Sequence, residues 1–242
     1  TFMRNSGWCW YQDPRAVIHN GKVIIGGVEG NGDGAAAIGV YDLGKREILG
    51  RTVIHPSFDQ DDHNTPAFYV RPDGRVLAVY ARHHRDDLHR YRVSTSEDFL
   101  EWTEEKQFKH DYPRAGNVTY MNLFPIAEEG KLFNFFRGIE FNPSFIKSTD
   151  QGETWGDPTH FIQNEVEGVQ RPYPVYAGNG EDTVYVSFTD AHPRRFGNSI
   201  YYAEFRGGKF YRADGTLIKS LDQGGALRPS EAERVFEGGG GE

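Results

Sequence analysis

The sequence predicts an all-β fold, a β-propeller built from four-stranded antiparallel blades, and three observations predict it. Residues 148–155 read S-x-D-x-G-x-T-W, a complete Asp-box hairpin of the kind typical of β-propellers. In this motif the Ser and Asp side chains bond the backbone of their own turn, Gly152 supplies a positive φ, and Trp155 packs beneath the hairpin. Related segments recur about every fifty residues, a period that fits one blade. Aromatic residues make up 14% of the chain and glycines number 29, which favours strands joined by tight turns.

Alternation and turn signals divide each repeat into four strands. The first blade is predicted at 15–19, 22–28, 36–42 and 48–55, with an Asn20-Gly21 turn between its first two strands. The second is predicted at 65–70, 75–81, 88–95 and 102–108. The third is predicted at 118–126, 132–138, 144–148 and 155–161, and the fourth at 171–176, 183–189, 199–205 and 209–218.

These strands predict a single domain over residues 1–242, with blades at about 8–56, 60–110, 115–163 and 168–220. The tail from Gly224 is rich in glycine and resembles the approach to a further blade. We therefore expect a piece of a longer ring. The chain begins at Thr1 with no visible signal segment, so we also expect a missing N-terminal segment.

Charge and cysteine content narrow the function classes. The formal net charge of −8 argues against nucleic acid as the main partner, although a few Arg and His in a cleft still suit an anionic substrate. No apolar run approaches the ~20 residues that a membrane span needs. Cys9 is the single cysteine, so no intrachain disulfide is possible. A structural metal site with His19 or His55 stays open, but a small buried thiol is the favoured interpretation of Cys9.

The predicted topology brings polar residues to one face, because loops entering first strands and loops leaving second strands share one end of a blade. The starts of first strands carry Arg15, His63, Asn64, Tyr120 and Arg171, and the ends of second strands carry Glu29, His83, His84, Arg137 and His192. Each has an ordinary structural explanation alone: a solvated loop for the histidines, core packing for Tyr120, a surface cap or ion pair for Arg137. Together they suit an acid–base site for an anionic substrate.

Several segments together resemble a known family. They are GWCWYQDPRAV at 7–17, DDHNTPAF at 61–68, TYMN at 119–122, FFRG at 135–138, TDAHPR at 189–194 and YRADG at 211–215. This set resembles the BNR-repeat (Asp-box) propeller family, which includes polysaccharide lyases acting on ulvan and on rhamnose–glucuronate linkages. The resemblance implies a seven-bladed ring, of which this chain would be a fragment, with His63, His83, Tyr120 and Arg137 as catalytic residues. Met121 departs from the smaller or cyclic residue expected beside the tyrosine.

The chemistry implied is β-elimination at a uronic acid within an acidic polysaccharide. Arg137, helped by His83, would neutralise the carboxylate, while His63 and Tyr120 would divide the roles of base and acid in an order that the sequence leaves open. Substrate-binding candidates are Asn64, Arg15, Arg171, His192, Trp10 and Tyr173. The reaction needs no cofactor, and we expect a monomeric, secreted or periplasmic protein with no nucleic-acid or membrane partner.

Two alternatives stay open at this point. One is a glycoside hydrolase on the same propeller, either an α-L-rhamnosidase or a sialidase-like enzyme. A sialidase requires a glutamate paired with its tyrosine nucleophile, and none falls at a suitable strand position near Tyr120. The other alternative is a glycan-binding propeller without catalysis.

Overall fold

The structure is a computed structural model that describes residues 3, 5–83, 85–109, 115–164, 171–194 and 197–239. These residues divide into two compact units. The first comprises Thr1–His110 and Asn117–Leu123, and the second comprises Asp111–Gly116 and Phe124–Glu242. His84, predicted above at the end of a second strand, lies outside the described residues.

The first unit contains two antiparallel sheets. The strands of its first sheet are β1 (Ser6–Gly7), β2 (Ala16–His19), β3 (Lys22–Glu29), β4 (Ala36–Asp42) and β5 (Glu47–His55). Their order is β1-β3-β4-β5, and β2 pairs with the remaining length of β3. The second sheet has the order β6 (Ala67–Val70), β7 (Val76–Tyr80), β8 (Leu88–Val93) and β9 (Lys106–Lys109).

The chain reverses between β2 and β3 at the predicted Asn20-Gly21 turn. Asn20 and Gly21 both have positive φ, 45° and 71°, and His19 pairs with Lys22. A two-residue loop with two positive φ values matches the right-handed twist of the strands that it joins. Behind these sheets lies an apolar core of side chains from both of them, which includes Ile24, Ile38, Phe58, Phe68 and Tyr80.

A further sheet has the order β10 (Ala115–Ile126), β11 (Lys131–Ile139), β12 (Pro143–Ser148) and β13 (Thr159–His160). Asn117–Leu123 of β10 belong to the first unit, and the rest of this sheet belongs to the second. The second unit also contains a sheet whose strands are β14 (Pro174–Gly178), β15 (Val184–Thr189), β16 (Ile200–Arg206), β17 (Lys209–Tyr211), β18 (Leu217–Ser220) and β19 (Glu233–Phe236). A short helix, α1, follows at Leu221–Gly224. The core of this unit is aromatic and includes Phe135, Phe145, Phe161, Phe205 and Phe210.

The strand predictions need three corrections. The single strand expected at 209–218 is a hairpin of β17 and β18, because Gly215 turns the chain with a φ of 83°. The glycine-rich tail contains β19, which pairs with β16 over Ile200–Tyr202 on the edge that β17 covers farther along. The outer strands expected at 102–108 and 155–161 are shorter, at Lys106–Lys109 and Thr159–His160.

The predicted fold class is confirmed: the protein is an all-β propeller built from four-stranded antiparallel blades. The Asp-box forms as its sequence predicts. Ser148 Oγ accepts the backbone N–H of Gly152 at 2.8 Å, and Asp150 accepts the N–H of Thr154 at 2.9 Å. Trp155 is buried beneath this turn. Among the described residues, no helix has the length and apolar character that crossing a membrane requires.

Candidate active site

A short 3-10 turn at Asp62–Asn64 positions His63 in the first unit. Asp61 caps this turn, because its Oδ1 accepts the backbone N–H of His63 at 3.0 Å. Asn64 is buried; its amide donates to the carbonyl of Phe58, and its Oδ1 accepts the backbone N–H of His83 at 2.7 Å. The turn therefore fixes the backbone of both histidines at once.

One carboxylate joins the two imidazole rings. Asp61 Oδ1 lies 2.5 Å from Nδ1 of His63, and Asp61 Oδ2 lies 2.7 Å from Nδ1 of His83. The two rings stack with centroids 4.3 Å apart and planes 22° apart. Asp62 adds a second contact to Nδ1 of His63 at 2.9 Å. The histidines thus form a pair whose Nδ1 edges both face acidic groups.

Tyr120 completes the cluster from strand β10. Its ring centroid lies 5.2 Å from that of His63 and 6.2 Å from that of His83. Its φ is 61°, in the left-handed region, which costs a bulky side chain about 1–3 kcal/mol. The Asn122 amide donates to the carbonyls of Tyr120, at 2.6 Å, and Tyr11, at 3.0 Å. Strained backbone held by a dedicated side chain is common at functional sites.

Burial and hydrogen bonding oppose each other at Asp61. Burial alone would raise the pKa of its carboxyl, but the hydrogen bonds from His63 and His83 outweigh burial and hold the pKa well below its usual range. Asp61 is therefore ionised. Because an ionised carboxylate only accepts hydrogen bonds, Nδ1 of each ring is the donor to Asp61.

The same three side chains form a group in which one donor atom from each lies within 4.8 Å of the others. Two atoms that ligate one zinc ion tetrahedrally lie about 3.3 Å apart. The Nδ1–O separations of 2.5 and 2.7 Å are shorter and are those of hydrogen bonds. In this arrangement Asp61 holds both histidines by hydrogen bonds.

Two clefts of the first unit are lined by residues at or near the sequence positions of this cluster. One, of about 450 Å³, is lined by Asp61, Asp62, Glu29, Gln60 and neighbouring residues of β1. The other, of about 340 Å³, is lined by Trp8, Arg15 and Asp13. The Arg15 guanidinium lies 4.3 Å from the Trp8 ring centroid, and Trp8 and Trp10 are 50% and 71% exposed. An exposed aromatic pair beside a guanidinium suits an acidic sugar.

The second unit gathers the remaining candidates around Phe141. Arg137 is 5% exposed, donates to the Tyr173 hydroxyl at 3.2 Å and has its guanidinium 5.8 Å from the Phe141 ring centroid. The Arg171 guanidinium lies 4.1 Å from the same centroid. The His192 and Tyr173 ring centroids are 4.9 Å apart. Two guanidiniums on one ring form a positive group of the kind that binds carboxylate or sulfate.

The structure changes the interpretation of several candidates. Asn64 is buried and accepts the backbone N–H of His83, and Tyr173 is buried and accepts a hydrogen bond from Arg137, which is buried as well. Asp61 was missed, because an acidic run before a histidine reads as a solvated loop. Its contact with His83, 22 positions on, is not visible in sequence spacing.

The cysteine stays a buried thiol. Burial raises the pKa of Cys9 to about 11, with the charges of Asp61 and Asp62 adding to the rise. The two histidines considered as its partners have contacts of their own. His19 lies 3.0 Å from the carbonyl of Gly74, and His55 lies 2.7 Å from Glu105.

The fold and the Asp-box define a β-propeller of four-stranded blades, and sequence comparison names the family. A model of the BNR repeat-containing family matches residues 9–237, so the chain belongs to that family. Among curated proteins, no sequence matches this chain.

Solved structures with the same fold include enzymes acting on polysaccharides. An ulvan lyase of polysaccharide lyase family 25, bound to -[GlcA(1-4)Rha3S]-, aligns with a TM-score of 0.73 at 16% identity, over 96% of this chain and 60% of that chain. The chain thus spans less than two thirds of that lyase. An exo-1,5-α-L-arabinanase from a bovine ruminal metagenomic library aligns with a TM-score of 0.57 at 14% identity, over 98% and 81%. An arabinanase of Bacillus subtilis aligns with a TM-score of 0.54 at 12% identity, over 98% and 84%.

Proposed function

We propose that this protein cleaves a uronic-acid-containing polysaccharide, of the ulvan or rhamnose–glucuronate kind, by β-elimination. The observation that carries the proposal is the packing of His63, His83 and Tyr120 into one cluster with ring centroids 4.3 to 6.2 Å apart. Two imidazoles and a phenol are the groups that take and give protons in such a reaction. The glucuronate–rhamnose ligand of the lyase neighbour agrees with this substrate class.

The reaction removes the C5 proton of the uronate and breaks the C4–O4 bond. Because that proton is weakly acidic, the adjacent carboxylate must first be neutralised so that negative charge can build on it. Arg137 and His83 take this role through a guanidinium and an imidazolium. The electron pair of the C5–H bond becomes the C4–C5 double bond, and O4 leaves with a proton. His63 and Tyr120 divide these two proton transfers.

The remaining candidates contact the sugars that flank the cleavage point. Trp10, Trp8 and Arg15 offer an exposed aromatic and cationic surface, and Arg171 with His192 adds positive charge in the second unit. Asn64 acts indirectly, through the backbone of His83. A secreted or periplasmic location follows from a substrate that is an extracellular polymer.

Hydrolysis is the weaker proposal, because glycoside hydrolases use two carboxyl groups as acid and base or nucleophile. Both oxygens of Asp61 are engaged by histidine, and Asp62 contacts His63 as well. Neither carboxylate is set apart for attack on a sugar.

The test is to incubate the protein with ulvan and with a rhamnose–glucuronate polymer and to record ultraviolet absorbance together with new reducing ends. Elimination yields both signals, because the unsaturated uronide absorbs. New reducing ends without absorbance indicate hydrolysis and overturn the proposal. Polymer binding with neither signal indicates a glycan-binding propeller and overturns it too.

A further inference from the structure

We propose that Asp61 is the positioning residue of this site: one carboxylate holds both imidazoles by Nδ1 and so fixes the orientation of both rings. This inference rests on the proposed function for its catalytic meaning, but its structural part stands without it. The carboxylate lies 2.5 Å from one ring and 2.7 Å from the other, and it also caps the turn that carries His63.

A shared carboxylate places negative charge against both rings. Asp61 Oδ1 faces Nδ1 of His63 and Asp61 Oδ2 faces Nδ1 of His83, while the rings stack with centroids 4.3 Å apart. Because both rings donate to the same side chain, the orientation of each depends on Asp61.

The contacts of the other ionisable groups near the two rings differ from those of Asp61. Asp62 contacts only His63 of the two rings among the described contacts, and its side chain is 47% exposed. Cys9 is uncharged near neutral pH, because its pKa is raised to about 11. Tyr120 faces both rings from β10. Arg82, next to His83 in the chain, is held by Asp59 at 2.9 Å.

The structural test is ¹⁵N NMR of the histidine rings in the wild-type chain and in Asp61→Asn, with Asp62→Asn as the matched control. In the wild type we expect Nδ1 of both rings to stay protonated from about pH 5 to 8. Asp61→Asn should remove this preference in both rings. Asp62→Asn should leave His83 unchanged. His63→Gln and His83→Gln assign the signals.

The kinetic test uses Asp61→Asn on the polymer. By analogy with the aspartate that orients a catalytic histidine, Asp61→Asn should lower kcat about 100-fold or more with KM within about twofold. The acid limb of its pH–rate profile should move to lower pH, because a neutral amide does not stabilise protonation of the pair. The activity control is Asp42→Asn, which alters a carboxylate that accepts the backbone N–H of Lys45 in a surface turn, and it should keep kcat within a few fold.

The outcomes separate the two proposals. If the rings show the expected Nδ1 protonation and the protein has no lyase activity, the proposed function fails and the positioning role stands. If Asp61→Asn leaves both rings as in the wild type, the positioning role is overturned even in an active enzyme. Ring signals that change on addition of EDTA identify a bound metal and overturn it as well.

Discussion

At the scale of single residues, Tyr120 is the most constrained group of the site. Its backbone has a φ of 61°, its ring is buried, and the ring packs edge-on against Tyr11 at a centroid distance of 5.3 Å. Asn122 holds its carbonyl. This environment fixes the Tyr120 ring relative to the histidines.

Tyr120→Phe should therefore fold normally and lose activity. Removing a group that transfers a proton typically lowers the rate by about 100- to 10,000-fold, and we expect that loss in kcat with little change in KM. Tyr69→Phe, which alters a half-buried tyrosine of β6, is the control and should keep its activity. A Tyr120→Phe enzyme with more than half of the wild-type kcat would contradict this role.

Glu105 provides a pH-dependent contribution to stability. Burial would raise its pKa, but hydrogen bonds from His55, Gln107 and Tyr80 outweigh burial and lower the pKa to about 2. The unfolded value is about 4.3, so the native state favours the ionised form. The stabilisation is therefore fully present above about pH 4.3 and is lost as the pH falls towards about 2.

Glu105→Gln should lower the free energy of unfolding by about 3 kcal/mol at pH 7, because the side chain is 13% exposed and joins β5 to β7. The difference from the wild type should shrink steadily below about pH 4.3. Urea denaturation at several pH values measures it. The exposed neighbour Glu104 is the control, since Glu104→Gln should change little. A difference that does not vary with pH would point to packing instead of charge.

At the scale of elements, the Asp-box turn between β12 and β13 can be compared with the turn between β8 and β9, which carries a degraded copy of the motif at residues 94–102. Asp150 accepts three hydrogen bonds, from Ser148 Oγ, the Thr154 N–H and Thr154 Oγ1. In the degraded copy, Asp98 accepts two, from Ser96 Oγ and the Leu100 N–H. The stability lost when a turn-capping carboxylate is removed should increase with the number of hydrogen bonds that the carboxylate accepts.

We expect Asp150→Ala to lower the free energy of unfolding by about 1–2 kcal/mol and Asp98→Ala by less, because each hydrogen bond contributes about 1 kcal/mol. Denaturant midpoints of the two variants give the comparison. If Asp98→Ala costs as much as Asp150→Ala, the complete motif has no added stabilising effect over the degraded one.

Local features of these elements can be predicted from sequence, whereas their long-range pairings cannot. The Asn20-Gly21 hairpin and the Asp-box are local, and their residues determine their own conformation, so they were predicted correctly. Strand β19 was missed because its pairing with β16 joins residues more than thirty positions apart and leaves no local signal. His63, His83 and Tyr120 were predicted as site residues because they lie at the ends of predicted strands. Asp61, which connects two of them, depends on a contact that only the folded chain reveals.

At the scale of the whole molecule, the proposed reaction assigns roles to His63, His83 and Tyr120 and to Arg137. If these groups stabilise one transition state, removing one should reduce the effect of removing the others, and their kinetic effects should not multiply.

The corresponding experiment is a double-mutant cycle with His63→Ala and Arg137→Ala. Each single variant should lower kcat/KM by about 100-fold or more, and the double variant should lose much less than the product of the two losses. Arg206→Ala, which alters an arginine bonded to Glu204 in β16, is the matched control. It should keep its activity and show no coupling to His63→Ala. Multiplicative losses in the main cycle would mean that His63 and Arg137 serve separate steps, and the neutralising role given to Arg137 would fail while the histidine–tyrosine cluster stood unaffected.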